Sequence, residues 1–131
     1  MDRNSQQIFE FGPFRLDMAE RMLLRDGQRV ALTPKVFETL VALVDHRGRL
    51  VQKDELIKLV WPDSFVEESN LTNNISSLRK ALSDGEGGAS YIETIPRIGY
   101  RFTAPVRELP RLVTELVVEK HSLTRIETEE R

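Results

Sequence analysis

Thr33-Pro34 opens the one stretch of this chain whose folding leaves little choice. Threonine before proline is an N-cap followed by a residue already fixed near the helical φ. Behind the pair, Val36, Phe37, Leu40, Val41, Leu43 and Val44 recur at helical spacing, and Gly48 supplies a stop. The stripe is broad, which predicts a helix at the centre of the core.

The preceding segments are strand-like. Residues 8–16 (IFEFGPFRL) are rich in Phe and Ile around a Gly12-Pro13 break, and read as two short strands or one kinked strand. Asp17–Glu20 is a short loop and Arg21–Arg25 a further strand candidate. Asp26-Gly27 is the strongest hairpin signal in the chain, answered by Arg29–Leu32. A small antiparallel sheet follows, marginal alone and in need of a helix to lie on.

After Leu50-Val51, read as a brief extended link, a second helix is predicted from about Lys53 to Trp61. Asp54 and Glu55 suit its N-terminal dipole; Leu56, Ile57, Val60 and Trp61 are expected to form its buried side, and Pro62 ends it. Asp63, Ser64, Phe65, Val66, Glu67 and Glu68 make an acidic loop, with Phe65 and Val66 expected to plug an edge of the core.

Residues 70–82 then place Leu71, Ile75, Leu78 and Leu82 in a stripe roughly 60° wide at the 3.6-residue period. Opposite lie Ser69, Asn73, Ser76, Ser77 and Lys80. A merely solvated face usually carries Glu/Lys pairs four apart. Asn and Ser are mediocre helix formers, so a face built of them invites a functional reading. Asn and Ser read base edges in the major groove, and Lys reaches phosphate or guanine.

Ser83–Gly88 reads as a flexible connector. Tyr91–Ile95 alternates as a strand, Tyr100–Thr103 answers it, and Pro96-Arg97-Ile98-Gly99 forms a tight tip carrying a cation. Such a tip suits a phosphate backbone or a minor groove, although by itself it reads first as an ordinary solvated arginine in a turn. Pro105 and Pro110 bracket a boundary, beyond which Leu112–Val118 and Leu123–Thr128 are two short strands or a linker. The division expected is therefore 1–7 without order, 8–104 as the domain and 105–131 as linker or tail.

Composition bounds the rest. The 131 residues, 40% apolar, suffice for one domain with a modest core. The absence of cysteine excludes disulfides, thiolate metal sites and a thiol nucleophile. His46 and His121 lack metal-type spacing, and nothing arranges Ser, Asp and His as nucleophile, base and orienter. No metal, cofactor, small-molecule substrate or enzymatic activity is expected. The net charge of −2 does not advertise a nucleic-acid binder, although association depends on the field at the docking face. No apolar run approaches 18 residues and the N-terminus has no signal-peptide layout, so a cytoplasmic location is expected.

Four segments in order resemble the OmpR/PhoB-type winged-helix DNA-binding domain of bacterial transcription regulators: LTPKVFETL (32–40), Val60-Trp61, NISSLRKAL (74–82) and IETIPRIGYRF (92–102). The resemblance covers about residues 8–104. It implies an α+β winged helix-turn-helix with a four-stranded antiparallel N-terminal sheet, a three-helix bundle and a C-terminal β-hairpin wing. It further implies double-stranded DNA as partner, with the third helix in the major groove and the wing at the adjacent minor groove. By position, Thr72, Asn73, Ser76, Ser77 and Lys80 fall where the family's helix meets DNA, and Arg79 flanks them, within reach of a phosphate or a group of the domain itself. Thr94 and Arg101 occupy wing positions that often contact backbone, and the loop Asp63–Glu68 corresponds to a segment some members use to touch RNA polymerase.

Two departures stand out. Many response-regulator members carry arginines where Ser76 and Ser77 stand, so weaker non-specific affinity is expected. The usual wing arginine falls at Pro96, leaving Arg97 for the minor-groove role. Binding as a dimer or tandem pair is expected to compensate. The module starts near Met1 with no receiver in front, which resembles the family branch with a sensor or membrane segment downstream. The competing reading is a winged helix repurposed for protein contacts through Phe65, Ile98 and the tail.

Overall fold

The computed structural model describes residues 7–83 and 91–110, and the chain divides into two compact units. The first comprises Met1–Gln28 with Arg107–Arg131, the second Arg29–Val106.

In the first unit, β1 (Gln7–Phe11) and β2 (Phe14–Asp17) pair antiparallel through a two-residue turn at Gly12-Pro13, and β2 pairs β3 (Met22–Arg25). Gly12 sits at φ 56°, which resolves the predicted break into a hairpin rather than a kink. Asp26 (φ 50°) and Gly27 (φ 82°) are both left-handed, as the primed hairpin turn requires, and lead into β4 (Gln28–Val30). Ile8, Phe9, Phe11, Phe14, Leu16 and Leu23 are buried.

A fifth strand corrects the predicted four-stranded sheet and the boundary placed at Pro105: β8 (Arg107–Pro110) pairs antiparallel with β1, giving the order β4-β3-β2-β1-β8. Cross-strand charge explains the continuation. Glu10 stands opposite both Arg15 and Arg107. It accepts from Arg15 Nη2 at 2.6 Å and Nε at 3.1 Å, and from Arg107 Nη2 at 2.9 Å. Gln7, predicted to lie in a start without order, belongs to β1; residues 1–6, 84–90 and 111–131, with the predicted connector and the two short strands or linker expected there, lie outside the described residues.

The Arg15 hydrogen bonds, joined by Arg107, hold the Glu10 carboxyl below its ordinary range against a smaller effect of burial. A lowered folded value stabilises above the unfolded carboxylate range and is lost as pH falls through the folded one. Glu10→Gln is therefore expected to cost roughly 0.5 kcal/mol at pH 7. Urea unfolding should show wild type and variant converging in acid.

In the second unit, Thr33 caps α1 (Pro34–Asp45), its Oγ1 accepting from Val36 N–H at 3.3 Å. Val36, Phe37, Leu40, Leu43 and Val44 are buried, as the stripe predicts. α1 packs on α2 (Lys53–Val60) and α3 (Glu68–Ser83), whose Leu71, Ile75, Leu78 and Leu82 are buried. α3 starts two residues before the predicted Asn70, within ordinary boundary scatter. Trp61, predicted buried, is only half-buried because α2 ends at Val60 and its φ of −126° turns the chain away. Leu50-Val51 is no mere link. Leu50–Gln52 forms β5, pairing β7 (Gly99–Phe102), which in turn pairs β6 (Ile92–Ile95). Three helices followed by this hairpin make a winged helix-turn-helix.

Candidate nucleic-acid interface

The buried seam of α3 fixes which residues look outward. Thr72, Asn73, Ser76, Ser77 and Lys80 are all exposed. The side chains of Asn73, Ser76, Ser77 and Lys80 make no hydrogen bond or ion pair with another described residue. Thr72 differs, donating its hydroxyl to Glu68 O at 3.3 Å within the helix. From Asn73 to Lys80 the helix rises about 10 Å, roughly three base-pair steps of 3.4 Å. The row of short polar groups is thus unoccupied and of a length to read one triplet.

Neighbouring polar residues on the same helix have structural work instead. Asn74 is half-buried and donates from Nδ2 to Thr39 Oγ1 at 3.1 Å and to Lys35 O at 3.4 Å, anchoring α3 on α1. Arg79 does not project freely. Its Nη2 donates to Ile92 O at 2.8 Å and to Thr94 Oγ1 at 2.6 Å, bracing α3 against β6. Of the two partners expected for Arg79, a phosphate or a group of the domain itself, the fold supplies the second. Thr94 accepts this bond at the wing. Arg101 spans to Glu93 across the β6–β7 register at 3.4 Å, and its Nε is buried without a partner among the described residues.

The wing tip is pinned from below. Ile98 N–H donates to Ile95 O, and Ile98 O accepts from Lys53 N–H at the start of α2, both at 3.0 Å. Arg97 sits between them, exposed, at φ 70°, with no ion pair to a described residue. A left-handed conformation disfavours any side chain but glycine by about 1–2 kcal/mol, so a charged residue there marks a strained and outward-facing position.

Phe65 is 105% exposed, not a plug for the core, while Val66 is half-buried. The segment after Pro62 carries no regular structure to turn Phe65 inward until α3 begins at Glu68. One charged pair escaped the sequence reading altogether: Lys53 Nζ lies 2.7 Å from Glu68 Oε2, joining the first residues of α2 and α3. Fifteen residues apart, they carry no periodic signal.

Among the described residues no group of His, Cys, Asp or Glu could hold a metal, and no helix is long and apolar enough to cross a membrane.

Residues 27–102 match the family described as "Transcriptional regulatory protein, C terminal", and the chain belongs to it. Among its relatives are the transcriptional activator CadC of Escherichia coli, 34% identical over 102 residues, and the transcriptional regulator HilA of Salmonella typhimurium, 40% identical over 102 residues. These alignments cover 77% and 78% of this chain but 20% and 18% of the relatives, so the chain spans about a fifth of their length. The solved DNA-binding domain of E. coli CadC superposes with a TM-score of 0.71 at 33% identity, covering 79% of this chain and 97% of that one.

Proposed function

We propose that this chain binds double-stranded DNA sequence-specifically to regulate transcription, with α3 in the major groove and the β6–β7 wing at the minor groove. The observation that carries this reading is the outer face of α3, where Asn73, Ser76, Ser77 and Lys80 stand exposed and unengaged. Family membership and the likeness to a DNA-binding domain support it. Asn73, Ser76, Ser77 and Thr72 read base edges; Lys80 meets phosphate; Arg97 enters the minor groove. Arg101 contacts the backbone from the wing. Arg79 and Thr94 hold the wing on the helix rather than the DNA.

The fully exposed Phe65, in the loop Asp63–Glu68, favours a protein contact made by the DNA-bound domain, and RNA polymerase is the partner proposed. On the outer face of α3 and at the wing tip the exposed cations without a partner among the described residues are Lys80 and Arg97, so two copies on repeated half-sites supply the missing affinity by effective concentration. Nothing in the site calls for a cofactor or catalysis, and the module works in the cytoplasm, free or tethered by a segment outside this chain.

Random-site selection on duplex DNA, followed by salt titration of the enriched site, tests the proposal. Enrichment of one sequence and a linear fall of log K with log salt are expected. Binding indifferent to both sequence and salt would leave the protein-contact reading instead.

Arg97→Gly separates strain from contact. Relief of the left-handed arginine should raise stability by about 1 kcal/mol in thermal unfolding, while the salt slope of DNA binding falls by about 0.9. Arg79→Gln should do the opposite. Losing the brace costs about 1 kcal/mol of stability and weakens all sites, yet leaves the slope at the wild-type value.

A further inference from the structure

Lys53, Glu68 and Arg97 meet in one place. A cleft of about 450 Å³ is lined by Gln52, Lys53, Asp54, Glu68, Arg97 and Ile98, where the first turn of α2, the start of α3 and the wing tip converge. Its two cations differ in state. Arg97 is exposed and makes no ion pair with a described residue. Lys53 is held by Glu68 at 2.7 Å. Asp54 brings a second carboxylate to the wall, so the cleft is electrically neutral as it stands.

Resting on the reading of the chain as a DNA binder, we propose that this cleft is a phosphate subsite for the DNA backbone, kept closed in the free protein by Glu68. The Glu68 carboxylate occupies the Lys53 ammonium in the place a phosphodiester oxygen would take. The geometry suits the exchange. Glu68 stands one turn before Thr72 on the outward side of α3, so the DNA contacted by that helix passes the cleft. The Lys53 main chain is fixed by its bond to Ile98 O, so the ammonium's reach is set by the same tip that presents Arg97. The side chains of Lys53 and Glu68 are 25% and 57% exposed. An ion pair that exposed is weak and open to competition. A phosphate taken by Lys53 at the edge of the groove that Arg97 enters would lie in the field of both cations and displace one carboxylate. Glu68 is thus a built-in competitor that lowers backbone affinity without touching base readout.

The test is a cycle of four full-length chains: wild type, Glu68→Gln, Lys53→Gln and the double variant. Each is titrated by fluorescence anisotropy against the selected duplex and a scrambled duplex of equal length, across a salt series. Glu68→Gln is expected to bind both duplexes several-fold tighter at low salt, and to steepen the slope of log K against log salt by about 0.9. Its advantage then shrinks about threefold between 50 and 200 mM salt. In the Lys53→Gln background the same substitution should change affinity less than twofold. The proposal is overturned if Glu68→Gln leaves the slope unchanged, or if its gain persists undiminished without Lys53, which would make Glu68 a general repulsive charge. Thermal unfolding of the four confirms that folded chains are compared, and a purely structural pair would move only those midpoints. If the wild type shows no salt-dependent binding to either duplex, the DNA reading itself fails; if it binds and all four share one slope, only the subsite does.

Discussion

Gly99→Ala is expected to destabilise the second unit by about 3 kcal/mol and to abolish ordered DNA binding with it. A Cβ at this position would overlap Val51 O and stand 2.9 Å from Gln52 Cα. Both are backbone atoms of β5, and neither is the yielding end of a side chain. Relief would require β5 and β7 to part at the Gln52–Gly99 pair, where the sheet meets the start of α2. The bond from Lys53 N–H to Ile98 O lies one residue away and would go too. Thermal unfolding measures the loss. An alanine variant melting like the wild type would show that β5 is not held against the wing as described.

Asn73→Ala is expected to cost about 1–3 kcal/mol on the preferred site and to relax selection at one base pair. The carboxamide is exposed and engaged by no described residue, so its removal leaves no buried group unsatisfied and the fold unchanged. The adjacent Asn74 is the built-in control. It anchors α3 to Thr39 and Lys35, so Asn74→Ala should lower stability while the order of preferred sequences stays the same. Repeating the site selection with both variants checks the pair. Unchanged selectivity for Asn73→Ala would place the reading face elsewhere on the helix.

The two asparagines also show how far sequence reaches. The place of Asn73 was legible, because the stripe of Leu71, Ile75, Leu78 and Leu82 fixes the helix phase and puts it opposite, whereas the anchoring of Asn74 depends on Lys35 and Thr39, more than thirty residues away. The start of α1 and the Asp26-Gly27 turn were legible for similar local reasons, because Thr33-Pro34 and Asp26-Gly27 constrain φ within a few residues, whereas Gly12-Pro13 marked a break without deciding between a turn and a kink. What escaped depends on distant partners. β5 and β8 are three and four residues long, too short for alternation to register, and exist because Arg101, Tyr100 and Gly99, or Phe9 and Glu10, lie alongside. The Arg79 brace and the Lys53–Glu68 pair join residues 13 to 15 apart through the fold. Phe65 was misplaced because a loop residue has no period from which to infer its direction.

The Arg79 brace has a mechanical consequence. The wing is clasped to α3 by the Arg79 guanidinium and to the start of α2 by the Lys53–Ile98 bond, while the Lys53–Glu68 pair ties α2 to α3. In a complex with duplex DNA the two prongs would act as a caliper of fixed span rather than as fingers that adjust. A stiff gauge cannot yield to a groove of the wrong width, so the distortion falls on the DNA. Sequences whose steps bend or narrow cheaply would then be favoured at positions no side chain touches.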